Sequence, residues 1–332
     1  MEPTDYTLTH FILKEEKHHP DATGELSILL HAIEIASKYI SSKVRCAGLF
    51  NLFGAQGVQN VQGENQLKLD VICNDAMIMS LKRSTTVSVM VSEEDEHPIL
   101  IEENKNAKYC CAFDPLDGSS NVEANVSIGT IFGVYKKENP KSPASVSDIL
   151  QPGNKLVAAG YTMYGSATIL VLTTGQGVNG FTLDPSSGEF VLTHPDIRTK
   201  RWHSIYSCNE GNQRTWGEGV KRFVEKCKNG PKPFSARYVG SMVADVHRTI
   251  LYGGIFMYPA DKKTKNGKLR LLYEANPMAM ILEQAGGKAT NGDIRILDIV
   301  PTDHHMRCAV YMGSADLVDE LMASIKEHGH FD

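Results

Sequence analysis

The sequence predicts an α/β protein built as two subdomains, each a mixed sheet flanked by helices. Three observations carry this. The chain has 332 residues, more than one small core needs and enough for two packed subdomains. Helical periods and β-rich runs are interspersed throughout. After about residue 200 they become a regular strand–helix alternation. The predicted boundary divides the chain into 1–198 and 199–332.

Residues 1–16 are weakly patterned and are expected to be mobile. In TGELSILLHAIEIASKYISSKVRCAG, Leu26, Leu29, Leu30, Ile33, Ser37, Ile40 and Val44 keep helical spacing, with Thr23 as the expected cap and Gly48 as the stop. Residues 51–68, rich in Gly, Asn and Gln, read as a long polar loop, a kind of segment that often serves function. LDVICNDAMIMSLKRS reads as a second helix. VSVMVSEED and KYCCAFDPLDG read as strands that deliver acids at their carboxyl ends. SIGTIFGVY, AAGYTMYGSATILVLTT and VNGFTLDPSSGEFVLTH continue the strands, the last turning at 184–188. In the second half HSIYSCN, IFMYP, LRLLYE and CAVYMGS read as strands. TWGEGVKRFVEKCKNG, GSMVADVHRTILYGG, NPMAMILEQAGG and ADLVDELMASIKEHG read as helices, with Asn276 as an N-cap before Pro277.

Composition excludes several classes. Net charge is −5 with no basic block, which argues against nucleic-acid or polybasic membrane binding. No apolar run approaches the roughly eighteen residues that span a bilayer. The first residues lack a basic region followed by an apolar one, so no export or organellar signal is expected and a cytoplasmic location is. Seven scattered cysteines without a CxxC pair read as reduced thiols, and Cys110 and Cys111 should point to opposite sheet faces.

The acids carry the chemistry. Glu93 and Glu94, Asp114 and Asp117, and Glu274 all fall at predicted strand ends. A lone Glu-Glu is ordinarily solvated surface and a lone DPLDG an ordinary turn. Their joint placement is different. Carboxylates gathered at one edge repel, and hard divalent cations with oxygen ligands relieve that repulsion. Pro115 stiffens the turn, and the Leu116 carbonyl is a further candidate ligand. Gly118, Ser119 and Ser120 then offer successive backbone N–H groups, a nest for phosphate oxygens. Metal carboxylates beside a phosphate nest point to phosphoester hydrolysis.

On these residues the chain resembles the metal-dependent, lithium-sensitive phosphatases, and within them the fructose-1,6-bisphosphatases. SEED, DPLDGSSN, LQPGNKLVAAGYTMYGSAT, ARYVGSMVADVHRTILYGGIF, NGKLRLLYEANPMA and EQAGG carry the resemblance, which runs from about residue 10 to 328. It implies a layered α-β-α-β-α sandwich, a cytosolic homotetramer, and hydrolysis of the 1-phosphate of fructose 1,6-bisphosphate in gluconeogenesis. Mg²⁺, with Mn²⁺ or Zn²⁺ as alternatives, would bind as about two to three ions per subunit. Their ligands would be Glu93, Glu94, Asp114, Asp117, Glu274 and the Leu116 carbonyl. Asp70 and Glu94 would position or deprotonate the attacking water. Gly118, Ser119 and Ser120 would cradle the 1-phosphate beside Arg270. Asn209, Tyr238, Tyr258 and Lys268 would grip the 6-phosphate, Arg237 would reach it from a neighbouring subunit, and the Met242 backbone would touch the sugar.

The resemblance also implies inhibition by AMP, bound by Thr23, Gly24, Glu25, Leu26, Ser27, Lys108, Tyr109 and Lys136. Four positions depart from the family's pattern. Ser27 replaces a usual threonine and Lys136 a usual arginine, losing a bidentate fork. Asn212 stands where a tyrosine is frequent, and Glu64 where an aspartate is. The cysteine-bearing insertion of redox-regulated forms is absent after Val134. Two rival enzymes are a sedoheptulose-1,7-bisphosphatase and an inositol-phosphate phosphatase. A non-catalytic sugar-phosphate or AMP sensor is the rival from another class, and the intact acid set argues against it.

Overall fold

The structure, a computed structural model, describes residues 6–18, 22–52, 54–59, 65–104 and 106–329. Glu64 lies outside the described residues. The chain begins with a helix where mobility was expected, α1 (Leu8–Lys17). Leu8, Phe11 and Ile12 share one face, with Leu8 and Ile12 buried and Leu13 left exposed, and Thr7 caps the first turn by accepting from the His10 N–H. Ten residues hold only one such i, i+3, i+4 set, which is little periodic signal.

Helix α2 (Glu25–Arg45) buries Leu29, Leu30, Ile33, Ser37 and Ile40, the face that the spacing predicts. Its ends differ from the expectation. Gly24, at φ +82°, is the N-cap in place of Thr23, and the helix stops at Arg45 before Gly48. The presumed polar loop contains an antiparallel ribbon, β1 (Ala55–Gln59) with β2 (Asn65–Leu67). Its Gly, Asn and Gln residues hide the pairing from a composition reading. Helix α3 (Lys68–Arg83) follows.

An eight-stranded sheet dominates the first half. It contains β3 (Val87–Ser92), β4 (Ile99–Leu100), β5 (Tyr109–Asp117), β6 (Ile128–Lys136), β7 (Leu156–Tyr164), β8 (Thr168–Thr173), β9 (Asn179–Asp184) and β10 (Glu189–His194). Its order is β10-β9-β8-β7-β6-β5-β3-β4, with β3 and β5 parallel. Both strands are buried on both faces, hence the apolar run Tyr109–Phe113 of β5, while β3 buries Ser88 and Ser92 among its valines. Cys110 and Cys111 do enter opposite cores.

The second half contains β11 (Ile205–Ser207), α4 (Glu218–Asn229), β12 (Ser235–Ala236), α5 (Met242–Tyr252), β13 (Ile255–Tyr258), β14 (Leu269–Arg270), α6 (Asn276–Gln284), β15 (Lys288–Thr290), β16 (Arg307–Cys308), β17 (Val310–Gly313) and α7 (Ala315–His328). Its five-stranded sheet runs β12-β11-β13-β17-β15, and β14 pairs separately with β16. LRLLYE is a strand only through Arg270. Leu271–Ala275 form a π-helical turn that runs into α6, so Asn276 lies within the helix and is not its cap. Leu271, Leu272 and Tyr273 are all fully buried, so no alternation distinguishes strand from turn here.

Helices α2 and α3 cover one face of the large sheet. Helices α5 and α6 lie between the two sheets, and α7 packs with α4 outside the second. The layers are therefore α-β-α-β-α. This stacking brings the N-terminus of α5 and the π turn before α6 to the carboxyl end of β5. Tyr161 on β7 and the His247 ring on α5 are hydrogen-bonded at 2.8 Å inside the sandwich. Burial pushes the imidazole down to about 4, which keeps it neutral.

Candidate active site

The register of β5 against β6 shifts between Asp114 and Asp117, an irregularity at the strand's carboxyl end. The Leu116 N–H donates to Asp114 at 2.9 Å. Asp117 accepts from the Ser241 hydroxyl at 2.8 Å and from the Val243 N–H at 2.9 Å, both at the N-terminus of α5. The Glu274 carboxylate, on the π turn, accepts from the Arg270 N–H. Asp114, Asp117 and Glu274 are buried, and one oxygen of each lies within 4.8 Å of the others.

Glu93 and Glu94 follow β3 directly. The Glu93 N–H donates to the Phe113 carbonyl, which ties this turn to β5. Gln66 donates to Glu94 at 2.8 Å. Asp70, in the first turn of α3, accepts from the Leu67 N–H at 2.8 Å. Burial, then the charges of Asp70 and Glu93, push Glu94 up to about 8. Burial does the same to Glu274, also about 8, and raises Asp114, where Glu93, Asp117 and Glu274 add repulsion. Asp117 is raised by burial and partly relieved by the Val243 N–H, the Ser241 hydroxyl and the Met242 N–H at the start of α5.

This charge cluster fits a divalent cation. Its oxygens converge and its charge is self-repelling. The raised carboxyls bind protons more tightly folded than unfolded. In EDTA their stabilising contribution is therefore present near pH 5 and lost as pH rises through about 8. We expect the melting temperature in EDTA to fall by several degrees between pH 5 and pH 9. Added Mg²⁺ should flatten that slope, and a slope unchanged by Mg²⁺ would contradict the fit.

A cavity of about 580 Å³ opens over the acids. Asp70, Glu93, Glu94, Asp114, Leu116, Asp117 and Glu274 line it, as do Gly118, Ser119 and Ser120. Ser119 and Ser120 head a 3₁₀ turn, where backbone N–H groups have no partner within the turn. Tyr238, Met242, Tyr258 and Lys268 line the same cavity. Arg270 is buried, donates to the His305 carbonyl at 2.7 Å, and leaves its Nε without a partner among the described residues. Asn209 and Asn212 sit in an adjoining pocket of about 250 Å³ that shares Tyr258 and Lys268 with the first. Arg237 is exposed and lines neither cavity.

Three supporting residues escaped the sequence reading. Ser241 caps α5 and holds Asp117. Asp245 is fully buried and accepts from the Val239 and Gly240 N–H groups, so it shapes the loop that presents Tyr238. Gln66 reaches Glu94 across the sequence. Ser241 before a helical run was a visible cap signal. The other two act through tertiary contacts alone.

A second cavity, about 560 Å³, lies between α1, α2 and β6. Thr23, Gly24, Leu26, Ser27, Lys108, Tyr109 and Lys136 line it. Lys108 pairs with Glu25 at 2.7 Å and donates to the Thr23 hydroxyl at 3.0 Å. Ser27 donates to Glu16.

Comparison with known proteins agrees with this geometry. Residues 6–195 match the family model of the fructose-1-6-bisphosphatase N-terminal domain, and residues 199–326 that of the C-terminal domain. The chain is 54% identical to a cytosolic fructose-1,6-bisphosphatase of Brassica napus, covering 97% of this chain and 95% of the relative. It is 53% identical to that of Arabidopsis thaliana, with the same coverage. The holo-form structure of Leishmania major fructose-1,6-bisphosphatase superposes with a TM-score of 0.92 at 48% identity, covering 96% of this chain and 98% of the other. The chain belongs to the fructose-1,6-bisphosphatase family and is a phosphoric monoester hydrolase.

Proposed function

We propose that the protein hydrolyses the 1-phosphate of D-fructose 1,6-bisphosphate, giving fructose 6-phosphate and phosphate, in gluconeogenesis. The observation that carries this is the convergence of Asp114, Asp117 and Glu274 beside the Ser119–Ser120 turn in one cavity. Glu93, Glu94, Asp114, Asp117, Glu274 and the Leu116 carbonyl would hold divalent cations, Mg²⁺ first. Such cations neutralise phosphate charge and lower the pKa of water.

The protein's own groups do the rest. Gly118, Ser119 and Ser120, which line the cavity, hold the 1-phosphate oxygens. Arg270, buried beside Glu274 and not among the cavity-lining residues, supports the site with its charge. Asp70 and Glu94 orient the attacking water and take its proton. One phosphorus–oxygen bond forms to water as the bond to the sugar C1 oxygen breaks, and the sugar oxygen leaves with a proton. Lys268, Tyr238, Tyr258 and Asn209 hold the 6-phosphate some distance away, which sets the orientation. The Met242 backbone contacts the sugar. Arg237, exposed and outside both cavities, serves the site of a neighbouring subunit in a homotetramer. The cytosolic names of the relatives support a cytosolic location. Two units, 1–198 for metal and effector and 199–332 for sugar phosphate, divide the work.

The test is phosphate release with Mg²⁺ from fructose 1,6-bisphosphate, sedoheptulose 1,7-bisphosphate and inositol monophosphate. The first should be the best substrate by kcat/KM. A better rate on either of the others would displace this reading.

The second cavity is assigned to AMP. Its phosphate meets the N–H groups of Gly24, Glu25, Leu26 and Ser27 at the start of α2, with Thr23, Lys108, Tyr109 and Lys136 around it. K136A should raise the half-inhibiting AMP concentration about tenfold, the worth of one charge-assisted hydrogen bond. K136R should lower it, and neither should change the rate without AMP. Unchanged inhibition in K136A would remove Lys136 from the site.

A further inference from the structure

The acids of the cluster come from three supports, the turn after β3, the end of β5 and the π turn before α6. Glu93 and Glu94 sit on the turn after β3, while Glu274 sits on the π turn before α6. One side chain joins these two turns. The His305 Nε2 meets the Asp95 carbonyl at 3.1 Å, and Asp95 directly follows Glu94. Its Nδ1 meets the Tyr273 hydroxyl at 2.9 Å, and Tyr273 directly precedes Glu274. Its own carbonyl accepts from Arg270 Nη1 at 2.7 Å, while the Arg270 N–H donates to Glu274.

The partners define the proton positions. A carbonyl only accepts, so Nε2 carries the hydrogen. A neutral ring then accepts at Nδ1 from the tyrosine hydroxyl. The surrounding loop is fixed as well. Asp303 accepts from the His305 N–H at 2.7 Å, the neighbouring His304 ring meets the Glu96 carbonyl at 3.0 Å, and Asn74 donates to the Asp95 carboxylate at 2.9 Å. The Leu271 N–H donates to the Met306 carbonyl at 2.8 Å, so the loop is laced to the start of the π turn.

Resting on the metal-dependent reading above, we infer that His305 is a positioning residue that sets the separation between the Glu93–Glu94 turn and the Glu274 turn, and so the metal affinity of the cluster. Ligands held by a fixed outer shell bind more tightly than ligands left to find their geometry, typically by about 10–100-fold.

The test is direct titration of the metal-free protein with Mn²⁺, with the free ion followed by its electron paramagnetic resonance signal, alongside melting curves in EDTA. H305A should raise the Mn²⁺ Kd about tenfold or more. H305Q, whose amide N–H can still reach the Asp95 carbonyl, should recover part of that loss. Y273F keeps the ring and removes only the hydroxyl, and should raise Kd several-fold. If H305A does not fold, Y273F and H305Q decide the matter. A merely structural role would lower the melting temperature and leave Kd unchanged, and folded variants with wild-type Kd overturn the inference. If the wild type itself binds no Mn²⁺, the metal-dependent reading falls and this inference with it.

Discussion

Replacing Asp117 with asparagine should lower kcat/KM for fructose 1,6-bisphosphate by about 10²–10³-fold, or roughly 3–4 kcal/mol of barrier, as for other preorganised electrostatic groups. The fold should survive. The asparagine carbonyl can still accept from Ser241 and Val243, which now bond Asp117 at 2.8 and 2.9 Å. The substitution also removes one charge from a self-repelling group, so the melting temperature in EDTA should stay level or rise. Steady-state phosphate release and a melting curve measure both effects. A folded D117N with wild-type kcat/KM would take Asp117 out of the reaction.

Gly118→Ala should have the second-largest effect. Gly118 has φ +76°, and an added Cβ would stand 2.7 Å from the Ser241 Cβ and 3.2 Å from its Cα. Relief requires movement of the segment that joins Asp117 to the Ser119–Ser120 turn, or of the α5 N-terminus that holds Asp117. Either movement displaces groups on both sides of the 1-phosphate, and a displacement of about 1 Å can cost 10²-fold in rate. Gly188 offers the control. Its φ is +73° in the β9–β10 hairpin, and nothing lies within 4 Å of its added Cβ. G188A should cost only the left-handed strain, about 1–2 kcal/mol, with unchanged kcat/KM. Comparing the two by melting and activity separates crowding from strain. Equal activity in both variants would contradict the close docking of Gly118 on α5.

Much of the site was legible because its acids cluster in short motifs at strand ends. SEED and DPLDG each lie beside an apolar run, so the strands and their terminal carboxylates could be read together. The phosphate turn was legible because glycine and serine announce it. Glu274 was found through the resemblance and a strand ending at residue 274, yet it sits on a π turn. Fully buried Leu271–Tyr273 leave no periodic signal to reveal that turn. Asp245 and His305 were not legible. Their importance lies in whom they touch: the 239–240 backbone for one, and Asp95 with Tyr273 for the other. Helix α1 was missed because its ten residues hold only one i, i+3, i+4 apolar set, with Leu13 off that face, and the segment before it docks on β10, where the Leu192 N–H donates to the Tyr6 carbonyl.

The central claim is that one acid cluster holds the cations that serve phosphate hydrolysis. It is tested most directly by anomalous scattering from crystals of this protein soaked in Mn²⁺. The account predicts peaks bounded by Asp114, Asp117 and Glu274, extending toward Glu93 and Glu94, and loss of those peaks in D117N. Active crystals with no anomalous density among these carboxylates would contradict it.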